Sequence, residues 1–289
     1  MELLRILKEK MLLKMPKSGD YPLGFGGCGI HRRDEPNVAE NCFYRPLATL
    51  VVNGRKYSTV GGTKFFLKEG DVLISVVDMP AQNYVVEANS KNPFLSIDLD
   101  LDKHIILQIL SENPSLVSYA DKDVTGVGAY KADEDLLDLF LRIYKLSETP
   151  DKVIYLSSLL LKEMHLRLIL SPLGRYICRI NAPGGNNFSK AINYIRNNYK
   201  KIIKIGELAK IAGLSQSAFH RNFKRITGMS PLQYQKYLRF YEAQRLMSIG
   251  NETVENIAFE VGYGSTSQFF REYKKAFGDP PKKSIAKNF

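Results

Sequence analysis

The stretch that decides the fold is an internal repeat: residues 205–231 read IGELAKIAGLSQSAFHRNFKRITGMSP, and residues 254–281 read VENIAFEVGYGSTSQFFREYKKAFGDPP. Ala209 and Gly213 recur 49 residues later as Ala258 and Gly262. Six further residues recur 50 residues later, as the pairs Ser215/Ser265, Phe219/Phe269, Arg221/Arg271, Lys224/Lys274, Gly228/Gly278 and Pro231/Pro281. The slip of one residue falls in a turn, which accepts an insertion because no packed face is shifted.

Each copy of the repeat predicts a helix, a tight turn and a second helix. In the first copy Gly213 supplies the positive φ that ends the first helix, and Ser215 is placed to cap the second. In the second copy Ser265 and Gln268 predict a capping box. Apolar residues three or four apart predict the buried faces, which comprise Leu208, Ala209, Ala212, Phe219, Phe223, Phe269, Tyr273 and Phe277.

The opposite face of each second helix is polar. The first copy carries Ser217, His220, Arg221 and Lys224 there, and the second carries Thr266, Ser267, Gln268, Arg271 and Lys274. Hydroxyl, amide, imidazole and guanidinium groups can reach base edges in the major groove, whereas the two lysines have the reach for phosphates. One such face is ordinarily a solvated surface, but two matched faces in one basic region favour DNA reading.

Charge is distributed unevenly along the 289 residues, whose net charge is +11. Residues 1–187 hold 23 basic and 23 acidic side chains, and residues 188–289 hold 18 basic and 7 acidic ones. The whole positive excess therefore coincides with the repeat, which indicates a polyanion-binding module joined to a neutral one. An anionic membrane surface would also attract such a charge, but the helical repeat favours DNA.

A single helix is predicted between the two copies, over residues 231–248. Pro231 suits its first turn, and Tyr234, Tyr237, Leu238 and Tyr241 follow at the spacing of one apolar helix face. Such a helix would fix the distance between the two units. Recognition helices about one DNA turn apart (~34 Å) could then enter successive major-groove segments.

Residues 188–289 resemble the AraC/XylS family of bacterial regulators. The resemblance includes Pro231, Tyr234, Arg239, Ala243, Leu246, Ile257, Ala258, Gly262, Tyr263, Ser267, Phe269, Arg271, Lys274, Phe277, Gly278 and Pro281. It implies base-reading positions at Ser217, His220 and Arg221 in the first unit and at Thr266, Ser267, Gln268 and Arg271 in the second. The first unit departs from the family at its first helix cap, where Lys204 stands and the second unit keeps Thr253. Loss of that cap costs about 1 kcal/mol of helix stability.

The neutral front alternates short apolar runs with turn signals. Strands are predicted at Leu47–Val52, Arg55–Val60, Val72–Val77 and Leu95–Leu101, and Asn53-Gly54 between the first two is a hairpin signal. Many short strands joined by tight turns favour a small barrel or sandwich. Helical periodicity follows at Lys131–Leu146 and Asp151–Leu170. The second of these helices has more apolar surface than one stripe requires, which is typical of an interface, although packing onto the strands would also explain it.

The front also resembles the cupin-like amino-terminal domain of a subset of AraC-type regulators. The similarity covers residues 44–56, 75–102 and 162–174. It implies a barrel that can hold a small effector, followed by a helical pair used for dimerisation. We therefore predict an α+β protein of two domains. Residues 1–178 form the cupin-like β-barrel with its helical dimerisation segment, residues 179–187 a linker, and residues 188–289 an all-α domain with two helix-turn-helix units.

The expected partners are double-stranded promoter DNA, a small-molecule effector and a second copy of the chain, with RNA polymerase as a further candidate. We expect no membrane association, because no apolar run approaches the ~20 residues that cross a bilayer. No small-residue cleavage site follows the lysines and leucines of residues 1–15, so a signal peptide is not expected. Three cysteines fit a reducing cytoplasm better than a disulfide scaffold.

Other functions are weighed against this one. A cupin-type metal enzyme would need clustered ligands, but the histidines, His31, His104, His165 and His220, lie far apart in the sequence; we assign no catalytic residue, metal ligand or cofactor. A non-specific architectural DNA binder needs only the charge and leaves the polar faces without a purpose. Cys28 or Cys42, near several basic residues, could sense electrophiles, or both could simply be buried. Arg221 and Arg271 could pair with Glu207 or Glu260 instead of reading DNA.

Overall fold

The chain forms two compact units in a computed structural model that describes residues 2–36, 39–119, 125–181, 187–250, 252–281 and 283. One unit holds residues 1–39 and 44–185, and the other holds residues 40–43 and 186–289. Of the predicted linker, residues 182–186 lie outside the described residues, and residues 179–181 complete the last turn of a helix. Within the described ranges, no helix is both long and apolar enough to cross a bilayer.

The front of the chain is rich in strands. They are β1 Gly19–Pro22, β2 Gly29–Arg33, β3 Ala39–Tyr44, β4 Leu47–Asn53, β5 Arg55–Val60, β6 Thr63–Lys68, β7 Asp71–Ser75, β8 Met79–Glu87, β9 Phe94–Asp100 and β10 Val127–Lys131. One sheet has six strands in the order β1-β2-β9-β4-β7-β10, and the other has four in the order β3-β8-β5-β6. The four predicted strands correspond to β4, β5, β7 and β9.

The predicted hairpin at Asn53-Gly54 is wrong. The described partners of β4 are β7 and β9, in the six-stranded sheet, whereas those of β5 are β6 and β8, in the other. Gly54 has the positive φ of a tight turn, at +82°, but the turn carries the chain from one sheet to the other. Asn53 is buried there and donates to the carbonyl of Pro93 at 2.5 Å, a contact that local sequence does not reveal.

The two-residue turn at Gly61-Gly62 does close a hairpin. Val60 pairs with Thr63 across it, and β5 and β6 continue in register to Arg55 and Lys68. Both glycines have positive φ, at +55° and +82°. This is the backbone that a type I′ turn requires and that side chains other than glycine, asparagine or aspartate rarely adopt.

Five α-helices of the front are α1 Glu2–Lys14, α2 Lys103–Glu112, α3 Glu134–Leu146, α4 Pro150–Leu170 and α5 Gly174–Asn181, with a 3₁₀ turn at Pro114–Tyr119. Helix α1 buries Leu4, Leu7 and Met11 and contacts β4, every residue of which is buried. Helix α3 begins three residues later than the predicted start at Lys131, because Asp133 caps it by accepting from the Leu136 amide and Lys131 ends β10.

Helices α3 and α4 pack side by side and run in opposite directions. Arg167 near the end of α4 pairs with Asp135 at the start of α3 at 2.8 Å, and Arg142 pairs with Glu163 at 2.9 Å. Pro150 opens α4 at the position where a missing amide costs nothing. The helical pair predicted from the leucine periodicity is therefore formed.

The other compact unit is helical and is the helical domain of the chain. Its helices are α6 Phe188–Asn197, α7 Ile205–Ala212, α8 Gln216–Thr227, α9 Pro231–Ile249, α10 Val254–Glu260 and α11 Thr266–Phe277. Helices α7 and α8 form the first helix-turn-helix, α10 and α11 form the second, and α9 joins them. The two-domain architecture predicted from the sequence, a strand-rich front and a helical end, is confirmed.

Candidate DNA interface

The two helix-turn-helix units are built by the local signals that the sequence carries. Gly213 ends α7 in the left-handed region, at φ +66°. The side chain of Ser215 accepts from the Ala218 amide at 3.3 Å at the start of α8, and Ser265 accepts from the Gln268 amide at 3.4 Å at the start of α11. These caps satisfy amides that would otherwise lack partners, so each recognition helix starts at a defined residue.

The capping box predicted for α11 is only half formed. The Gln268 side-chain amide donates to Glu272 at 3.3 Å rather than reaching back to the Ser265 backbone. Glu272 also accepts from the Tyr263 hydroxyl at 3.1 Å and pairs with Lys236 at 3.0 Å. Burial raises the pKa of Glu272, but these hydrogen bonds outweigh it and lower the pKa overall. A complete capping box is present at the start of α9, between Ser230 and Gln233.

The predicted recognition faces are accessible. Phe219, Phe223, Phe269 and Tyr273 are completely buried, which turns the opposite face of each helix outward. The exposed side chains are Ser217, His220, Arg221, Lys224, Ser267, Gln268, Arg271 and Lys274, and Thr266 is half-buried at the first position of α11. The structure thus places the predicted reading residues on the outer sides of α8 and α11.

Internal pairing of the two recognition arginines is the structural alternative to DNA reading. Within the described ranges, neither Arg221 nor Arg271 forms an ion pair with Glu207 or Glu260. Glu260 instead pairs with Lys200 at 3.5 Å, and Glu207 lies beside a tyrosine of α6, whose pKa is raised by burial and by this carboxylate. Both arginine side chains are exposed on the outer faces of α8 and α11.

Helix α7 begins without a side-chain cap, as the sequence predicts. Lys204 stands at the N-cap of α7 with extended backbone and makes no side-chain cap hydrogen bond. In the second unit Thr253 accepts from the Asn256 amide at 3.2 Å. The first unit thus begins on a less stabilised helix than the second.

Helix α9 is buried differently from the single stripe that the sequence predicts. Tyr234 is completely buried, but Tyr237 is only half-buried, while Phe240 and Ala243 are completely buried on another side. The reason is that α9 packs against both units. Tyr234 contacts Phe223 of α8 with ring centroids 5.4 Å apart, and Phe240 lies 6.1 Å from a phenylalanine of α11.

Sequence reasoning missed the two polar side chains that α9 directs into this unit, Gln235 and Arg239. Both donate to backbone carbonyls in the segment that follows α6. The sequence indicates Arg239 only as a position that resembles the AraC/XylS family. A glutamine and an arginine one turn apart among apolar residues of α9 were the available signal.

In the front unit His31 and His165 hydrogen-bond to groups of the protein itself. His31 lies between Asp20 at 2.7 Å and Asp98 at 3.0 Å. Burial lowers its pKa, but the hydrogen bonds and charges of the two carboxylates outweigh burial and raise it to about 9. His165 is buried and accepts from the Asp102 amide at 2.7 Å. Within the described ranges, no three potential ligands are grouped to hold a metal ion.

Of the two alternatives that the sequence leaves open for Cys28, the structure supports the buried thiol over the reactive one. Cys28 is buried, and burial raises its pKa to about 12, with Asp98 and Asp100 adding to the effect. The basic residues near it in sequence are engaged elsewhere: Arg45 pairs with Asp100 at 2.5 Å, and Arg33 pairs with an aspartate of β1. A thiol of high pKa has little thiolate to react.

A strand-rich front domain and a helical domain with paired helix-turn-helix units define a DNA-binding transcription regulator. Residues 25–176 match the AraC-type transcriptional regulator N-terminus, and residues 208–286 match a helix-turn-helix domain. The chain belongs to the AraC-type transcriptional regulators, because the first match alone covers more than half of it.

Individual relatives agree with this assignment. The chain is 23% identical over 267 residues to the lactose operon transcription activator of Staphylococcus xylosus, covering 86% of this chain and 87% of that one. It is 24% identical over 236 residues to the activator RhaS of Pectobacterium atrosepticum, covering 80% and 79%. The crystal structure of ToxT from Vibrio cholerae with an unsaturated fatty acid bound aligns with TM-score 0.60 at 10% identity, over 89% and 94% of the chains, which shows the shared fold.

Proposed function

We propose that α8 and α11 enter successive major-groove segments of promoter DNA, and that this reading regulates transcription of nearby genes. The observation that carries the proposal is the pair of matched, exposed polar faces in the basic part of the chain. A solvated surface has no need to repeat the same arginine and lysine at the same place in two units. Matched exposed polar faces on the second helix of each unit support a role as recognition helices.

Different residues of these faces take different roles in the proposal. Arg221 and Arg271 donate to base edges, with guanine as the preferred partner of a forked guanidinium. Ser217 and Ser267 are short side chains near the starts of α8 and α11, and they contact the bases or phosphates that lie nearest to those helix starts. Lys224, like its counterpart in α11, lies one turn further along and contacts the phosphate backbone, which adds affinity without sequence preference.

The test begins with selection of the bound sequence from a random DNA pool by the full chain. The double variant Arg221→Ala/Arg271→Ala should lose the selected site while Lys68→Ala, an exposed lysine of the strand-rich unit, should keep it. Wild-type binding should weaken steeply with salt through counterion release. If no sequence is enriched and every DNA binds equally, the chain is an architectural binder and the proposal is wrong.

We propose that the effector binds in the strand-rich unit, beside a buried polar group. Ser58 and Tyr44 both donate to the side-chain oxygen of Asn83, at 2.6 and 2.7 Å, and Lys56 on the same face of β5 is buried. A few placed polar groups in an apolar interior are typical of small-molecule sites. The unsaturated fatty acid bound in the ToxT structure supports a small-molecule effector; the staphylococcal relative is named as the activator of a lactose operon, which makes sugars a second class to test.

The effector proposal can be tested by thermal shift. A panel of sugars and fatty acids is screened for compounds that raise the melting temperature, since a ligand that binds the folded state stabilises it by mass action. Asn83→Leu should abolish the shift, whereas Gln82→Leu, at an exposed position of β8, should retain it. A ligand whose shift survives Asn83→Leu binds elsewhere and contradicts this location.

We propose a homodimer formed through α4. Ile154 and Leu159 are 77% and 65% exposed, and Tyr155 and Leu156 are exposed beside them. A groove of about 440 Å³ between α3 and α4 has Leu146 and leucines of α4 on its wall. A contiguous apolar patch on a water-soluble surface is typical of a protein interface, and a two-fold dimer would bury the same patch of both copies.

Sedimentation of matched variants tests the dimer. Ile154→Glu and Leu159→Glu should give monomers at micromolar concentration, because each would bury a charge without a partner. Leu13→Glu is the control, since Leu13 is a leucine of α1 that is 86% exposed, more than either α4 residue. A wild-type monomer at micromolar concentration, or dimers in both α4 variants, contradicts the proposal.

We also propose that the chain acts in the cytoplasm as a regulator rather than an enzyme. Its output would be contact with RNA polymerase at a promoter. Binding of the helical domain to its DNA site would hold the chain in a fixed position for that contact. A reporter gene under the selected site measures this output. Unchanged transcription in the Arg221→Ala/Arg271→Ala strain would contradict it.

A further inference from the structure

The two helix-turn-helix units meet at one backbone junction beside α9. The turn that enters the second recognition helix contains Gly262, with φ +93°. A Cβ at this glycine would lie 2.3 Å from the carbonyl oxygen of Lys200, which belongs to the segment between α6 and α7. The backbone of the second unit thus lies directly against the backbone of the segment that leads into the first unit, at a distance that only glycine permits.

Arg239 of α9 hydrogen-bonds to both sides of that junction. Its Nη1 donates to the Gly262 carbonyl at 2.7 Å, on the second unit. Its Nε donates to the Tyr199 carbonyl at 2.7 Å, and its Nη2 donates to the Lys200 and Lys201 carbonyls at 3.2 Å each, in the segment that leads into the first unit. One side chain therefore binds four carbonyls, one in the second unit and three in the segment before the first.

The guanidinium group suits this role because its donors have fixed directions in one plane. The group also lies over the ring of Tyr263, 5.6 Å from the centroid, so the plane itself is held. A lysine would keep the charge but would present a single nitrogen, which cannot reach both sides in a fixed geometry. An arginine here fixes an angle as well as a distance.

Each unit has enough other contacts with α9 to keep its own core without Arg239. Tyr234 packs on Phe223 of the first unit. Phe240 packs in a buried cluster of the second unit with Ile257, Phe269 and other apolar residues. These apolar contacts attach the units to α9 but have no fixed direction. The hydrogen bonds that join the Gly262 carbonyl to the segment between α6 and α7 pass through Arg239, and the Lys200–Glu260 ion pair at 3.5 Å adds one weaker contact beside them.

We propose that Arg239 sets the spacing between the two DNA segments that the protein reads. Arg239 is a positioning residue in this proposal, since it lies among protein carbonyls and acts through α8 and α11. The inference rests on the proposed reading of two major-groove segments. It deepens that function by naming what limits the tolerated distance between them.

The first test measures the spacing preference of the full chain. The selected DNA site is remade with one or two base pairs inserted or removed between its two segments, and each inserted pair turns the second segment by about a tenth of a helical turn. Wild-type affinity should fall about tenfold for one inserted pair. Arg239→Lys should fall only about twofold, while its affinity for a site with one segment scrambled equals that of the wild type.

Gln235→Ala is the matched control. Gln235 lies one turn before Arg239 and donates to the Tyr199 and Lys201 carbonyls, at 2.7 and 2.6 Å. Both contacts are in the segment that leads into the first unit and neither reaches Gly262, so this variant can lose stability without freeing the second unit from that segment. It should keep the wild-type spacing profile. A spacing profile that Gln235→Ala flattens as much as Arg239→Lys would assign the effect to general loosening and overturn the proposal.

A second measurement needs no DNA and so separates failure of this inference from failure of DNA reading. Spin labels are placed at Lys224→Cys and Lys274→Cys, equivalent exposed positions of α8 and α11, in a Cys42→Ser background where Cys28 and Cys178 are buried. The distance distribution between the labels should be narrow in the parent and broader with Arg239→Lys. If that variant does not fold, Arg239→Gln takes its place. Unchanged distributions and spacing profiles in the folded variant overturn the proposal.

Discussion

Arg221 offers the sharpest test of how this protein recognises DNA, through the substitution Arg221→Ala. The side chain is exposed and, in the part of the chain that the structure describes, forms no ion pair with the nearby acids Glu207 and Glu260. Removing it strands no buried charge, so the free energy of unfolding should change by less than about 0.5 kcal/mol. The whole effect should therefore be seen in DNA binding.

The size of that effect follows from the chemistry of a forked guanidinium on guanine. Loss of such a contact costs about 1–3 kcal/mol, which is roughly 5- to 150-fold in affinity for the best site. On single-base variants of the site, Arg221→Ala should lose its preference at one base pair and keep the preference elsewhere. Lys274→Ala should weaken all sequences alike and lower the salt slope by about one unit.

Fluorescence anisotropy on the selected site and on every single-base variant provides the measurement, with melting curves of each protein taken without DNA. Arg221→Ala with its full base preference intact would refute the reading role. A lower melting temperature for Arg221→Ala without DNA would show that the side chain stabilises the domain after all.

Three further predictions concern stability. Lys204→Thr should raise the free energy of unfolding by about 1 kcal/mol in urea denaturation, because it supplies the cap that Thr253 provides in the second unit; no gain would show that the start of α7 is stabilised in another way. Gly262→Ala should lower the melting temperature more than Gly250→Ala, because both glycines have positive φ but only the Cβ at 262 meets a carbonyl; equal losses would contradict the close approach. His31→Gln should cost most stability below pH 6.5, because the His31 pKa is raised from 6.5 to about 9 in the folded state, and the wild-type advantage should fade as pH rises through 9; a difference independent of pH would contradict it.

The local architecture of the helical domain could be predicted because its sequence signals act over only a few residues. Gly213 takes the left-handed conformation at a helix end, Ser215 caps the next helix, and Phe219 and Phe223 lie on one face because they are four residues apart. None of these depends on distant parts of the chain. The repeat then doubles each observation, which made the reading faces predictable before any tertiary contact was known.

The pairing of strands required the tertiary structure. Asn53-Gly54 is a strong local signal for a hairpin, yet β4 and β5 belong to different sheets, because a turn defines the direction of the chain but not the partner of each strand. The partners are set by packing, as where the buried Asn53 donates to the Pro93 carbonyl forty residues away. The periodicity of apolar residues reports only local structure, so it contains no information on a hydrogen bond between residues that are distant in the sequence.

The sequence by itself determined where the helix-turn-helix units lie and which side chains they expose, since helix periodicity and capping are local. The sequence also determined the neutral front and the basic end of the chain, because net charge depends only on composition. Only the tertiary structure decided the role of Arg239, which sits at a position that periodicity treats as one more polar residue on α9. Its four carbonyl partners lie 23 to 40 residues away, and they converge on one guanidinium because α9 packs against both units at once.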